Sequence, residues 1–352
     1  MEPYFLSTLF SLSMMVMLAY AALPPQLYWK MMLPTTPVPK AITEQLSLAL
    51  AGDIVSRGKS VNDAETQSQN MFHGSKEIPP QEIGSFLFNV TQLLGYDTNL
   101  YGYKIGAKEI QLHDDTNLYG YKSGASLHKL LHEKTKAGVF FFEENLHPGT
   151  KLDLQLSKRK PAVPILPRKI ADQIPFSLEK LKEILEILVV KPDSKNTEIV
   201  EKTIGWCELP SMEGEEQMCA TSLESLVDFI ASKLGKNVLA ISTEVEFEKE
   251  TQSQNFLVKD GVKKLADDGI AVCHPMTYPY AVFFCHKLVK TSAYFVPLEG
   301  EDGARVKAVA VCHRDTSKWD PNHVSFQDLN VKPGTVPVCH VLPERHLLWV
   351  PK

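Results

Sequence analysis

The chain has 352 residues, of which 44% are hydrophobic and 22% are charged, and its formal net charge is −5. This is enough apolar material for a sizeable core, organised as one substantial domain and a more weakly folding segment. The acidic balance excludes a basic footprint for nucleic acid, and no Lys/Arg cluster is dense enough to indicate a membrane surface.

The first residues have the pattern of a secretory signal peptide. Residues 4–18 are almost wholly apolar or hydroxyl-bearing, and Ala19-Tyr20-Ala21 supplies small residues around a cleavage point. The apolar run is shorter than a comfortable membrane span, which disfavours an uncleaved anchor. We therefore predict a signal peptide over 1–21 and a mature protein that is free of the membrane in an oxidising compartment. There the Asn89-Val90-Thr91 sequon predicts glycosylation at Asn89.

Residues 22–136 are predicted to form an extended and flexible variable segment. Three prolines between Leu33 and Pro39 bias the backbone away from helix. Beyond them polar residues prevail, without helical or strand periodicity. A Tyr-rich repeat occurs in two copies, over 97–107 and 115–125, and two copies are too few to stack into a core.

Two helices are predicted after the variable segment. The first begins at Ser177 as its cap, carries leucines at helical spacing from Leu178 to Leu188, and ends before Pro192. The second has Thr221 as its cap, with Glu224 three residues on as a capping box, and ends at Gly235.

Short β-branched and aromatic runs make up most of the remaining chain. An aromatic strand over 138–142 precedes the helices, and after them we predict strands at 238–245, 256–258, 270–273, 280–285, 293–297, 306–312 and 336–341. Helices followed by a series of strands indicate an α+β fold with a mainly antiparallel sheet over 137–352.

Four Cys-His dipeptides lie in or at the ends of these strands. They are separated by ten, twenty-five and twenty-five residues and are Cys273-His274, Cys285-His286, Cys312-His313 and Cys339-His340. Because successive strand residues point to opposite faces, the sulfurs should lie on one face and the imidazoles on the other. In an oxidising compartment we expect these sulfurs to form disulfides, with three possible connectivities. The remaining cysteines, Cys207 and Cys219, most simply pair with each other.

Four imidazoles held by disulfides predict a metal site. Imidazole donors without thiolates suit Cu(II), Zn(II) or Ni(II), and Cu(II) binds most tightly along the divalent series. The isolated histidines His147, His323 and His346 are predicted to be turn or surface residues rather than ligands.

The spacing of the four dipeptides closely resembles the signature of the plant BURP-domain family. Tyr28-Trp29 followed by Leu33-Pro34-Thr35-Thr36-Pro37, the repeat-bearing middle and the terminal Trp349-Val350 agree with it. The segment after the signal peptide looks most like that of the legume seed and dehydration- or aluminium-responsive members. The resemblance covers roughly 138–352 well and 22–42 moderately.

This resemblance implies a secreted protein of the extracellular space, cell wall or vacuole, linked to seed development or abiotic stress. In some members the family histidines bind copper, which with dioxygen oxidises a Tyr or Trp of the same chain and joins its ring to a nearby carbon. The corresponding metal-binding and catalytic residues here are His274, His286, His313 and His340. The candidate self-substrates are Tyr101, Tyr103, Tyr119 and Tyr121.

Two classes of function stay open. The protein is either an autocatalytic peptide cyclase whose substrate is its own variable segment, or a non-catalytic stress protein that binds metal or cell-wall polysaccharide. In the second case the repeats are a hydrophilic linker that arose by duplication, and copper could also have a purely structural role.

Overall fold

The structure is a computed structural model that describes residues 25–56, 83, 87, 140–154, 156, 162–211, 216–246 and 254–352. Several predictions concern other parts of the chain and lie outside the described residues. They are the signal peptide over 1–21, the sequon at Asn89, and the repeats with Tyr101, Tyr103, Tyr119 and Tyr121.

The described part contains seven α-helices and thirteen strands. The helices are α1 (Pro25–Met32), α2 (Lys40–Ser56), α3 (Arg168–Ala171), α4 (Leu181–Ile187), α5 (Lys195–Cys207), α6 (Leu223–Leu234) and α7 (Val324–Asp328). The strands are β1 (Phe140–Phe141), β2 (Lys151–Leu154), β3 (Glu216–Ala220), β4 (Val238–Ile241), β5 (Glu244–Glu246), β6 (Gln254–Val258), β7 (Lys263–Ala266), β8 (Ile270–Pro275), β9 (Phe283–Leu288), β10 (Thr291–Gly300), β11 (Arg305–His313), β12 (Val338–Leu342) and β13 (Leu347–Pro351).

The strands form two sheets. The eight-stranded sheet has the order β1-β12-β11-β10-β6-β2, with β5 also paired to β11 and β7 to β10. The five-stranded sheet has the order β3-β9-β8-β13-β4. Every pairing between these strands is antiparallel. The predicted α+β fold, with helices followed by a disulfide-linked antiparallel β domain, is confirmed.

The two sheets pack face to face through aliphatic side chains. Val272 on β8 and Val309 and Val311 on β11 belong to one buried cluster. The opposite face of the five-stranded sheet is covered by α6 and the N-terminal residues, and its buried side chains include Cys273 and Trp349. Side-chain alternation therefore sorts each strand into an inner face between the sheets and an outer face.

The prediction that residues 22–136 are extended is wrong for the part that the structure describes. Residues 25–56 form α1 and α2, with the proline-rich stretch only between them. Pro25 is the first residue of α1, a position where its missing N–H costs nothing. In α2 the buried residues Ile42 and Leu46 are one helical turn apart, so the apolar spacing is that of a helix that packs on one face.

The two predicted helices are present, with one correction. Ser177 caps a short 3₁₀ turn over Leu178–Lys180 that continues into α4. Helix α6 ends at Gly235, as predicted, but its N-cap is Ser222 and not Thr221. The Ser222 hydroxyl accepts a hydrogen bond from the Ser225 backbone N–H at 3.1 Å, and the Ser225 hydroxyl accepts one from the Ser222 N–H at 3.1 Å. Helix α5 was not predicted from the sequence.

Among the described residues, no helix is both long and apolar enough to cross a membrane.

Candidate functional site

Two disulfides join neighbouring strands directly behind the histidines. Cys273 of β8 lies opposite Cys285 of β9, and Cys312 of β11 lies opposite Cys339 of β12. In both bridges the Cα atoms are 4.0 Å apart. The structure thereby selects one of the three connectivities that the sequence left open.

The remaining bridge joins Cys207 to Cys219, as predicted. It links the end of α5 to β3, and all six cysteines are in disulfides. No thiolate is therefore left as a metal ligand, and three disulfides are typical of a protein that folds in an oxidising compartment.

The sulfurs and imidazoles lie on opposite faces of their strands, as the alternation predicts. Cys273 and Cys285 pack in the outer cluster beneath α6, and Cys312 and Cys339 pack in the outer cluster of the other sheet. The histidine that follows each cysteine therefore points to the inner side, where the two sheets meet.

His274 and His286 form the first imidazole pair. Both are buried, and their Nε2 atoms are 3.1 Å apart. On its other side, His274 Nδ1 lies 2.8 Å from Nδ1 of His346, which precedes β13. His274 thus lies between two other imidazoles, and its ring also stacks on Phe284 at 6.4 Å.

His313 and His340 form the second pair. Their rings stack with centroids 5.6 Å apart and an interplanar angle of 16°. The Nδ1–H of His340 donates a long hydrogen bond of 3.4 Å to the carbonyl of Val341, which leaves Nε2 with its lone pair. The Trp319 ring meets His313 edge-on at 4.9 Å and covers this pair on one side.

His323 and His346 are buried, so the prediction is wrong where it places them at the surface. Each does end a turn, because the His323 N–H donates to the Asp320 carbonyl and the His346 N–H donates to the Pro343 carbonyl. His323 caps α7, and its Nδ1 accepts a hydrogen bond of 3.1 Å from the Ser325 backbone N–H. Its ring lies 4.9 Å from that of Trp319, while His346 contacts His274. No sequence pattern marks either residue, because neither follows a cysteine. His147 is exposed in a turn, as predicted.

The surroundings of His274 favour its neutral form. Burial lowers the pKa of His274 well below its ordinary value. Repulsion from four other imidazoles lowers this pKa further, and they belong to His346, His286, His340 and His313. The last two belong to the other sheet, so the two pairs share one electrostatic neighbourhood.

The second pair is neutral for the same reason. Burial lowers the pKa of His313 well below its ordinary value, and repulsion from His340 and His286 adds to the effect. Burial also lowers the pKa of His340 to about 4, although its hydrogen bond to the Val341 carbonyl opposes the shift. A neutral imidazole is the form that binds a metal.

The chemistry of these side chains fits a nitrogen-binding metal ion, although a complete site is not preformed. Two ligands of one ion, each about 2.0–2.1 Å from it, have donor atoms about 3 Å apart. The Nε2 atoms of His274 and His286 meet this condition at 3.1 Å. Within the described ranges, however, no group of three or more His, Cys, Asp or Glu side chains is arranged to hold an ion.

A comparison with known protein families matches residues 139–351 to the BURP domain. The chain belongs to the BURP-domain family. The match begins next to β1 and ends in β13, so it includes all four Cys-His dipeptides of the signature.

Individual relatives agree with this membership. The chain is 45% identical to BURP domain protein RD22 of Arabidopsis thaliana over 255 residues, which are 71% of this chain and 60% of RD22. It is 46% identical to BURP domain-containing protein 5 of rice over 215 residues, which are 60% of this chain and 66% of that protein. It is 37% identical to Protein RAFTIN 1A of wheat over 213 residues, 60% of this chain and 55% of RAFTIN 1A. The chain thus covers less than two thirds of the length of these relatives.

The matched region does not include the N-terminal helices. Residues 25–56 precede position 139, yet Tyr28, Trp29 and Ile42 pack in the same core cluster as the helix-covered face of the BURP-domain sheet. The folded unit therefore extends beyond the BURP domain proper.

Proposed function

We propose that this BURP-domain protein binds copper through His274, His286, His313 and His340, between its two sheets. The observation that carries the proposal is that two imidazole pairs lie close enough to repel one another, with His274, His286 and His340 buried and His313 partly buried. The pKa values of His274, His313 and His340 are lowered. Neutral imidazoles without free thiolates are a donor set that suits Cu(II), which binds nitrogen ligands most tightly among the divalent ions.

The protein's own residues would prepare this site in three ways. First, the disulfides Cys273–Cys285 and Cys312–Cys339 hold together the strands that carry each histidine pair, so the imidazoles stay close without bound metal. Second, the contact between His274 and His346 orients the His274 ring. Third, the aromatic rings of Phe284 and Trp319 limit the access of water.

We further propose that the protein modifies its own variable segment, as the family resemblance implies. Bound copper would supply dioxygen-dependent oxidation. A cross-link would remove one hydrogen from a phenol and one from a nearby carbon and join the two atoms, while dioxygen accepts the two electrons and two protons. The candidate phenols are Tyr101, Tyr103, Tyr119 and Tyr121. The position of Phe140 supports the delivery of this segment to the histidines. Phe140 is the first described residue after the segment, and its ring lies 6.1 Å from that of His340.

A second candidate function is a non-catalytic one. His274, His286 and His340 expose only 3%, 2% and 4% of their surface, which limits the approach of a peptide. This burial is an argument against turnover. The non-catalytic candidate is a stress or seed protein of the cell wall or vacuole that holds metal or polysaccharide, or one in which copper only stabilises the fold. In each case the disulfides support a route through the secretory pathway.

Copper titration tests the binding proposal. His286→Ala and His313→Ala should each weaken Cu(II) binding by at least about tenfold, because each removes one imidazole donor. His147→Ala, at an exposed turn, is the matched control and should bind as the wild type does. Equal affinity in all four proteins, measured by calorimetry and by metal analysis after dialysis, would end the proposal.

Mass spectrometry separates the two candidate functions. With Cu(II) and air, the peptide that spans 92–125 should lose the mass of two hydrogen atoms for each cross-link if the protein is a cyclase. Protein kept with Cu(II) without dioxygen is the control and should keep its mass. Copper binding with an unchanged peptide mass in air would support the non-catalytic function.

A further inference from the structure

The N-terminal residues 25–49 are buried against the BURP domain although they lie outside the matched region. The Trp29 side chain is fully buried, and its ring lies 5.5 Å from that of Trp349 in β13. Leu33 and Ile42 are also fully buried in the cluster that contains α6 and the outer face of β8 and β9. Such contacts are those of a core and not of a surface arm.

Directional polar contacts fix the position of this segment. The Trp29 indole N–H donates to the Thr36 carbonyl at 2.8 Å, and the Thr36 hydroxyl donates to the Val238 carbonyl at 2.5 Å. These bonds link the loop after α1 to the first residue of β4. Lys352 also donates from its ammonium group to the Thr35 carbonyl.

A charged group holds α1 on α6. The Tyr28 hydroxyl donates to the carboxylate of Asp228, and the Arg168 guanidinium contacts the same carboxylate at 2.5 Å. The guanidinium carbon also lies over the Tyr28 ring, 5.7 Å from its centroid. Three side chains from separate parts of the chain thus meet at one point, which specifies both position and orientation.

The chain between the two docked regions is attached at its C-terminal end beside an imidazole. At its C-terminal end, Phe140 pairs with His340 across β1 and β12. Near the start of α2 the Glu44 carboxylate lies 3.6 Å from the guanidinium of Arg345, and the chain leaves from the other end of this helix, after Ser56. Arg345 directly precedes His346, which contacts His274.

We propose that residues 25–49 are a docking segment that the BURP domain holds by non-covalent contacts alone. The partner that fits this surface is the chain's own N-terminal segment, which remains bound after the intervening chain is cut. The N-terminal fragment would then stay on the BURP domain after processing, while Phe140 keeps the other end of the cut chain beside His340.

This arrangement would favour reactions within one chain. Groups between the two docked regions remain on the same molecule as the histidine pairs, at an effective concentration that depends on the length of the connecting chain. The docking depends only on the contacts above and holds whether or not the protein binds copper.

A cleavage experiment tests the docking. One recognition site for a specific protease is inserted within 57–82 of the full chain, and the protein is cut completely without metal. The N-terminal fragment should co-elute with the large fragment in native gel filtration, as shown by intact mass. Separation of the cut wild-type protein into two species would overturn the proposal.

Peptide exchange identifies the contacts and does not depend on how well a variant folds. A labelled peptide of residues 22–56 should replace the bound fragment in the cut protein. The Trp29→Ala peptide should bind at least about a hundredfold more weakly, because it loses a buried indole. The Leu27→Ala peptide is the control, since Leu27 is 44% exposed on the same helix, and it should exchange like the wild type. Equal binding of the Trp29→Ala and Leu27→Ala peptides would overturn the assignment.

Discussion

The Cys-His dipeptide places two kinds of chemistry on opposite sides of one strand. In Cys312-His313 the sulfur packs among outer aliphatic side chains, while the imidazole stacks on His340 between the sheets. Adjacent positions in a strand point in opposite directions, so neither side chain interferes with the other. The dipeptide combines a cross-link behind the sheet with a nitrogen donor in front of it.

Acid should destabilise the metal-free protein through these histidines. An unfolded histidine has a pKa of about 6.5, whereas that of folded His340 is about 4. Between these values the unfolded chain binds a proton that the folded chain does not, so stability falls as the pH falls. His340 alone should contribute a loss of about 3 kcal/mol from pH 7 to pH 4, and the lowered pKa values of His274 and His313 act in the same direction.

Guanidinium unfolding at several pH values measures this loss. His340→Gln removes the titrating ring, so its stability should depend less steeply on pH than that of the wild type. His147→Gln, at an exposed turn, should follow the wild-type curve. If the wild type and His340→Gln had the same slope between pH 7 and pH 4, the buried neutral state of His340 would be ruled out.

At the scale of elements, each of the two disulfides formed by the dipeptide cysteines joins strands that are already hydrogen-bonded neighbours. Cys312 and Cys339 lie directly opposite each other in the register of β11 and β12. The bridge therefore adds little to the geometry of the ladder, and its main effect is to limit the freedom of the unfolded chain. It also keeps His313 next to His340 when the sheets are disturbed.

Removing this bridge should weaken both the fold and the histidine pair. The separation of 27 residues between Cys312 and Cys339 predicts a loss of about 3.5 kcal/mol in the double Ser variant. Copper affinity should fall as well, since the second pair loses its constraint. The matched control is the double Ser variant of Cys207 and Cys219, which should lose stability but keep its copper affinity. Equal copper affinity in both variants would contradict the proposed role of the strand bridges.

The cap of α6 provides a second prediction at this scale. Ser222→Ala removes the hydroxyl that accepts from the Ser225 N–H and should lower the free energy of unfolding by about 1 kcal/mol. Thr221→Ala, one residue earlier, should cost less than about 0.5 kcal/mol. Thermal unfolding measures the stability of both variants. A larger loss in Thr221→Ala than in Ser222→Ala would contradict the assignment of Ser222 as the cap.

For the whole molecule, the decisive feature is the packing of one sheet on the other. His274 and His286 belong to the five-stranded sheet, and His313 and His340 belong to the eight-stranded sheet. Aliphatic residues beside the two pairs, such as Leu342, fill the interface between the sheets. A site shared by both sheets therefore depends on the complete core.

Leu342→Ala should weaken the core and the site together. Leu342 is fully buried between the sheets, and its truncation should cost about 2–5 kcal/mol of stability. Because the cavity loosens the contact between sheets, copper affinity should also fall at a temperature where the variant is still folded. Val289→Ala, at a 49% exposed position, should change neither quantity. Unchanged copper affinity in a destabilised Leu342→Ala protein would show that the two pairs act independently.

Local patterns predicted those features that depend on neighbouring residues. The strands around the dipeptides, the end of α6 at Gly235 and the capped helix after Ser177 follow from periodicity and capping chemistry. Prediction failed at α1 and α2, where the proline-rich stretch suggested extended chain. Those prolines separate two helices that are stabilised mainly by burial of Trp29 and Ile42 against distant strands.

The site was predicted in part for the same reason. Each histidine next to a cysteine could be identified as a candidate because the dipeptide repeats. His346 and His323 could not, since only the folding of distant strands and α7 brings His346 to His274 and His323 near His313 and His340. Disulfide connectivity was equally open until the strand register was known.

The sequence by itself determined the α+β class, the family signature and the separation of sulfur from imidazole within each strand. These depend on side-chain period and residue type, which are local properties of the chain. Only the tertiary structure decided which cysteines pair, that the imidazoles of the two sheets lie close enough to repel one another, and that Trp29 belongs to the same core as Trp349. Those contacts join residues far apart in sequence, and their free energy comes from burial that exists only once both sheets and the N-terminal helices have packed.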